Sequence, residues 1–563
     1  MARNTNTRLW AVVAAGGLSL ALAACPGSSV GPGLPSCGAA GTQLTLAVGA
    51  YTSIDPASDS GCVTFAANTA ADTAEYLVLP WSTGGTLGLS TPFRLQSATP
   101  VPSAPFASAA TFSPLPTGRP ETARGPIAVA FDLSLRELAQ SRAYAGPAAA
   151  ARVPGVVPQA VPAAPPVVGD KRTFKVCSKF DCSTFDAVGA VVKTVGAHIA
   201  IYVDTLAPSP QLSQVALDSL ATVFDARLYP LDTATFGGVS DIDGNSVVIV
   251  LMTPTVNKLV PKSQCSQGFI AGFFFSGDLD PTFAPQFNNG EVFYSLVADS
   301  AGTLSCKHST SQLESNVPVT FVHEFQHMIN FVQKVRIRGG QSENTWLDEG
   351  LARYAEENAG RSFLADGDSA AFSQYAIDPV FDAYKYMQAT GTSALLFARD
   401  TGGLAPLGAG WMFVRYLVDQ FGDSTPRRLV QTTQVGQANV ATLTGQPFEQ
   451  SVTRWALANW VSDLPGFAAP SELQYTSWHF RRTYSSLHSQ DALDFPLAYP
   501  LVPTFSAGDG VNLTGTLRSG SGAYLRAVQR AGGAAFTLRL SANGTTTAVS
   551  PAVIPRLVVL RIR

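Results

Sequence analysis

Residues 319–331 read VTFVHEFQHMINF. The run is apolar on every side of a helix, so it predicts a helix that is buried. Into it are set His323, Glu324 and His327, in a chain with only six histidines. At i and i+4 the two imidazoles stack on one helix face. Buried there without partners, they would be costly. The fold must therefore satisfy both rings, either as hydrogen-bonded core histidines or through a shared cation. Asn316 can cap this helix and Pro318 suits its first turn, which predicts a helix over 316–335.

Two imidazoles on one face can ligate a single Zn²⁺ at about 2.0–2.1 Å each. Glu324 is too close in sequence to complete the ligand set comfortably. It fits the general-base position of an H-E-x-x-H motif. A zinc site needs a third protein ligand. TWLDEGLARYAEE, residues 345–357, reads as a second helix, with Thr345 as cap and Asp348 three residues on. Glu349 stands before Gly350, and a glycine there lets a neighbouring helix approach closely. The Glu349 carboxylate can then reach the metal. Asp348 can either cap its helix or orient a ligand histidine.

HEFQH followed by WLDEGLARYAE resembles the gluzincin metallopeptidases. Their third ligand is the glutamate of a W-L-x-E-G segment. More narrowly, GGVSDIDGN (237–245), FSGDL (275–279), HEFQHMINF (323–331) and TWLDEG (345–350) resemble the hyicolysin family of secreted bacterial zinc peptidases. The resemblance covers roughly residues 190–465. It implies a zincin-like catalytic domain, with His323, His327 and Glu349 as zinc ligands, Glu324 as general base and polypeptides as substrates. The spacing from His327 to Glu349 is longer than in aminopeptidase-N-like enzymes. Gluzincins often add a Tyr or His from a later helix as oxyanion donor. Leu407 stands just before GAGWMF, where a tyrosine would suit, and Tyr384, Tyr386, Tyr416 and His479 are the candidates. Two other functions share the motif: a catalytically inactive surface-binding lipoprotein that keeps the fold, and a zinc hydrolase of a non-peptide amide.

A Ca²⁺ site is the second cofactor expectation. Asp241-Ile242-Asp243-Gly244-Asn245 begins like a calcium loop but lacks its late Glu, so it also reads as a turn before a strand. Ser276, Asp278 and Asp280 carry the same ambiguity. His198, His308 and His488 read as structural.

The N-terminus, MARNTNTRLWAVVAAGGLSLALAAC, has Arg3 and Arg8, an apolar stretch and small residues before Cys25. This is an export signal. It resembles a bacterial lipobox, which implies a lipid anchor at Cys25 and a place on the bacterial cell envelope, or secretion. Six further cysteines in an oxidising compartment suggest disulfides. Sequence proximity favours Cys37–Cys62, Cys177–Cys182 and Cys265–Cys306. With 37 basic and 40 acidic residues the net charge is −3, which excludes nucleic acid as the main partner. Oligomeric state is left open.

The patterning predicts an α+β fold, with a catalytic domain of β-sheet, active-site helix and helical subdomain between two β-sandwich-like domains. The boundaries are a signal peptide (1–24), a tether (25–42), an N-terminal β domain (43–145) and a Pro/Ala-rich linker (146–170). A metallopeptidase domain (171–490) and a C-terminal β domain (495–563) follow. The N-terminal strands include IAVAFDLS, residues 127–134. That domain can be an inhibitory propeptide, an adhesion module or a spacer.

Overall fold

The computed structural model describes residues 37, 42–57, 60–98, 125–144, 164–280, 282–283, 286–542 and 547–563. The signal peptide, Cys25, most of the tether, residues 99–124 and 145 of the N-terminal domain and residues 146–163 of the linker lie outside them. The fold is mixed α and β, as the patterning predicts.

The central sheet is built from β6 (Lys171–Cys177), β7 (Phe185–Val195), β8 (Ile199–Asp204), β9 (Val248–Met252), β10 (Gly272–Phe274) and β11 (Val292–Ser295). Its order is β10-β11-β9-β8-β7-β6, with β10 on one edge. β8, β9 and β11 run parallel and β10 runs antiparallel to β11. The central strand VIVLM is buried throughout, as a strand covered on both faces requires.

The remaining strands are β1 (Thr42–Leu44), β2 (Tyr51–Ile54), β3 (Cys62–Phe65), β4 (Ala74–Ser82), β5 (Ser90–Ser97), β12 (Thr504–Ala507), β13 (Asn512–Arg518), β14 (Leu525–Gln529), β15 (Phe536–Ser541) and β16 (Pro555–Arg561). They do not form separate N- and C-terminal domains. One sheet runs β1-β3-β15-β5-β13 and the other β12-β14-β4-β16-β2, so both interleave strands from the two ends of the chain. The physical reason lies in β4. Tyr76 and Val78 face the core between the two sheets. Leu77, Leu79 and Trp81 face the opposite way, into the main core. β16 does the same, with Leu557 and Val559 turned one way and Val558 and Leu560 the other. Strands buried on both faces must be central, and each is the other's neighbour through the Leu557↔Pro80 register.

The helices are α1 (Pro126–Ser141), α2 (Gln214–Val223), α3 (Tyr229–Thr235), α4 (Pro254–Lys258), α5 (Thr310–Phe331) and α6 (Thr345–Ala365). They continue with α7 (Ser369–Gln388), α8 (Leu404–Phe421), α9 (Thr425–Val430), α10 (Gly436–Thr444), α11 (Phe448–Val461) and α12 (Phe480–Gln490). Two differ from expectation. IAVAFDLS is the start of α1 and not a strand. A short apolar run does not by itself separate strand from helix, and Pro126 at the first helical position fixes a helical φ. α5 begins earlier than expected, because Ser309 and Gln312 form a capping box ahead of Asn316. Pro318 consequently lies inside the helix, and a π-helical turn, 332–337, extends it.

The three disulfides are Cys37–Cys62, Cys177–Cys182 and Cys265–Cys306, with Cα separations of 5.8, 5.0 and 5.5 Å. They are the expected pairs and point to an oxidising compartment. Among the described residues no helix is long and apolar enough to cross a membrane. Among the described residues no disulfide joins the strands before residue 98 to the rest of the chain. A chain cut once within residues 99–124 should still elute from a sizing column as one species and come apart only in denaturant. A freely eluting N-terminal fragment would contradict the interleaved sheets.

Candidate metal centre

α5 carries His323, Glu324 and His327 against the edge of the central sheet, where Phe321 packs on Phe293 with ring centroids 4.7 Å apart. All three side chains are buried. The Nε2 atoms of His323 and His327 are 3.2 Å apart. α6 crosses this face and delivers Glu349, whose Oε2 lies 3.6 Å from His323 Nε2 and whose Oε1 lies 3.6 Å from His327 Nε2. Glycine makes the crossing possible. A Cβ on Gly350 would stand 2.7 Å from the Gly410 carbonyl oxygen of α8.

The opposite edge of each imidazole meets a carboxylate. His323 Nδ1 is 2.6 Å from Glu356 Oε1, and His327 Nδ1 is 3.1 Å from Asp348 Oδ2. Such partners hold the proton on Nδ1 and leave Nε2 as an acceptor. Both Nε2 lone pairs then point into one space, together with Glu349. The Oε1 atom of Glu349 is buried with no hydrogen-bond partner. Electron-rich groups converging without a donor suit a cation. Their spacing fits too, since ligands about 2.0–2.1 Å from a tetrahedral centre lie about 3.3 Å apart.

Further support runs along α6. Glu349, Arg353 and Glu356 share one face at i, i+4 and i+7. Arg353 Nη1 is 3.4 Å from Glu356, and its Nη2 is 2.6 Å from Asp382 on α7. Asp348 does not cap its own helix. It accepts from Asn330 Nδ2 at 2.5 Å and faces His327 and Arg136. Burial opposes ionisation of Asp348, but His327, Arg136 and Asn330 hold its carboxyl below the usual range. For Glu349 burial is likewise outweighed by His327, His323 and Arg136.

Glu324 points to the sheet edge, where its Oε2 accepts from the Phe274 N–H at 3.0 Å. Two groups that the sequence did not single out stand beside it, both on α1. Arg136 Nη2 is 3.9 Å from Glu324. Asp132 brings a carboxylate oxygen within 4.8 Å of donor atoms of His323 and Glu324. Burial, and then the charges of Glu324 and Glu349, push Asp132 well above the ordinary carboxylate range.

The expected oxyanion donors lie elsewhere. Tyr384 bonds to the backbone of Leu497, Tyr386 to Ser521, Tyr416 to the Glu472 carbonyl and His479 to Asp463. Leu407 does line the cavity at the site. In the DIDGN turn, Asp241, Asp243 and Glu291 converge within 4.8 Å. All three already have partners: Asp241 in the Ser246 N–H, Asp243 in Arg172 and Asn245, and Glu291 in Ser240 and the Ile242 N–H. In FSGDLD, Asp278 accepts from Tyr294 and Asn288, and Asp280 from Arg142. Burial raises Asp278 to about 7. His198 stacks on Tyr229, while buried His308 is held down at about 4.

No family model matches the chain. Over 134 residues it is 31% identical to the neutral metalloprotease ShpI of Staphylococcus hyicus, a match covering 24% of this chain and 28% of that protein. The chain thus aligns with less than a third of that relative's length. The likeness supports a metallopeptidase relationship and, with the convergent donors, a metal.

Gly350→Ala tests how the α6–α8 crossing holds Glu349. The new methyl must displace backbone, so stability should fall by about 1–3 kcal/mol, read from the urea midpoint.

Proposed function

We propose that the chain is an exported, zinc-dependent endopeptidase of gluzincin type, with a zincin-like catalytic domain and polypeptide substrates. The observation that carries this reading is the convergence of His323 Nε2, His327 Nε2 and the unsatisfied Glu349 Oε1 on one point, with Glu324 beside them. His323, His327 and Glu349 would hold the ion. The likeness to a neutral metalloprotease and the resemblance of HEFQH with TWLDEG to the hyicolysin family support it. The lipobox supports an anchor at Cys25 on the cell envelope.

When bound, zinc supplies a Lewis acid that polarises the scissile carbonyl and makes water more acidic. The chain's residues do the rest. Glu324 takes a proton from the attacking water and passes it to the leaving amine nitrogen. Its Oε2 is held by the Phe274 N–H, and a carboxylate oxygen lies within 4.8 Å of a ring nitrogen of His323. Glu356 and Asp348 keep the protons of His323 and His327 on Nδ1. Without them the rings could turn or change tautomer. The surrounding core excludes bulk water, which strengthens each of these contacts.

Metal content and casein hydrolysis, measured together on the chain lacking residues 1–24, test the reading. Wild type and Glu324→Gln should each bind one zinc, and whatever casein hydrolysis the wild type shows should be at least about 100-fold lower in the variant. A wild-type chain that binds no zinc overturns it. Glu356→Gln should weaken zinc binding by about 10- to 100-fold in competition with a chelator, while Glu356→Asp should recover part of the loss.

A further inference from the structure

The groups that would meet a substrate are shut in. His323, Glu324 and Glu349 are 4%, 2% and 1% exposed. The cavity beside them measures about 20 Å³, space on the scale of a single water. No polypeptide can enter it. One wall is α1, which presents Ala128, Val129 and Asp132 to His323, Glu324 and Glu349.

α1 lies where an extended peptide would have to lie. β10 is the edge of the central sheet, and a sheet edge is the natural seat for such a peptide. Here both backbone groups of Phe274 on that edge are occupied. Its N–H donates to Glu324, and its carbonyl accepts from Arg136 of α1 at 3.3 Å. The same guanidinium is 3.8 Å from Asp348 and 3.9 Å from Glu324.

The buried surface of α1 is otherwise mostly apolar, with Ile127, Val129, Phe131, Leu133 and Leu135 spread around the helix. Charged residues on such a surface are expensive unless they meet complementary partners. Arg136 meets Glu324 and Asp348. Asp132, one turn earlier, meets the histidine–glutamate cluster instead, with its carboxylate within 4.8 Å of His323 and Glu324 donor atoms. A carboxylate turned toward two carboxylates and an imidazole is compensated by a cation among them. Polar contacts at the far end hold the helix. Arg142 donates twice to Asp280, at 2.6 and 2.7 Å, and Tyr144 hydrogen-bonds Ser276 at 2.9 Å. FSGDLD thus supplies an anchor for α1. No cysteine lies between Cys62 and Cys177, so only the main chain on either side tethers this helix covalently.

We propose that α1 is a built-in inhibitory plug, and that Asp132, which stands beside His323 and Glu324, swings in as the fourth protein ligand once His323, His327 and Glu349 hold the metal. The chain as folded is latent, and the site opens to polypeptides when α1 leaves. This rests on the metallopeptidase reading above.

The test uses the chain lacking residues 1–24, reconstituted with Co²⁺, with engineered cleavage sites within 99–124 and 145–163. Uncut, Asp132→Asn should shift the visible Co²⁺ bands and lower metal affinity at least about 10-fold. An unchanged spectrum and affinity overturn the ligand assignment, whether or not α1 stays seated after cutting. Cutting at both sites and removing the piece that carries α1 should raise casein hydrolysis by the zinc form at least about 10-fold. A synthetic 125–144 peptide should suppress it again, and the Asp132→Asn peptide should do so about 10-fold less well. An uncut chain as active as the cut one overturns the plug. Arg142→Glu, which repels Asp280 and leaves the metal groups alone, should raise activity in the uncut chain. Failure of the underlying reading looks different: no stoichiometric metal in any form, or a metal-loaded chain without α1 that hydrolyses nothing.

Discussion

A carboxylate or imidazolium taken out of water loses several kcal/mol of solvation unless charge and hydrogen bonds replace the solvent. Along the α5–α6 contact this cost falls on His323, Glu324, His327, Glu349 and Glu356, all buried. The neighbouring residues answer it in order. Glu356 faces His323 and Arg353, and Arg353 faces Asp382 on the next helix. Asp348 faces His327 and Asn330. The Glu349 oxygen between the two Nε2 atoms is left without a hydrogen-bond partner. A fold that satisfies so much around one point leaves the centre for something positively charged.

The same logic sets backbone geometry. α6 supplies the carboxylates that face the histidine pair, Asp348, Glu349 and Glu356, and α7 and α8 must pack closely against it to hold them there. Gly350 and Gly410 allow α6 and α8 to touch backbone to backbone. Gly408 does so for α7, where a Cβ would stand 2.1 Å from the Asp382 carbonyl. That approach holds Asp382 against Arg353. On the other side of α6, Glu357 accepts from Trp411, Trp478 and Arg361. The helix carrying Glu349 is therefore clamped on two sides.

Much of this was legible in the sequence, for a physical reason. His323, His327 and Glu349 come together through local rules, the helical repeat and one glycine. The strands HIAIYVDT and SVVIVLMTP stood out because β-branched runs between turn residues carry their own signal. Following the face of α6 two turns past Glu349 would also have found Arg353 and Glu356. Asp132 and Arg136 had no such signal. Their segment reads as a strand when cut short, and what places them is tertiary contact with β10 and α5. The joining of the terminal strands was equally silent, since no local pattern tells Leu557 to lie beside Pro80. Tyrosines proposed as oxyanion donors failed likewise. Their hydroxyls are claimed by distant backbone and serine groups.

The interleaved sheets also govern the order in which the chain can fold. β4 has β14 and β16 as its neighbours, and β5 has β13 and β15. Each of these partners lies more than four hundred residues downstream. During synthesis the early strands are made long before anything exists to pair with them. They spend that time as unsatisfied edges, the state most open to wrong pairing. Contacts of such long sequence separation form slowly. The helical body between the two ends, by contrast, draws on contacts close in sequence. The structure thus implies a late final step, in which the last strands thread between the first ones and seal the outer face of the core that holds the candidate metal centre.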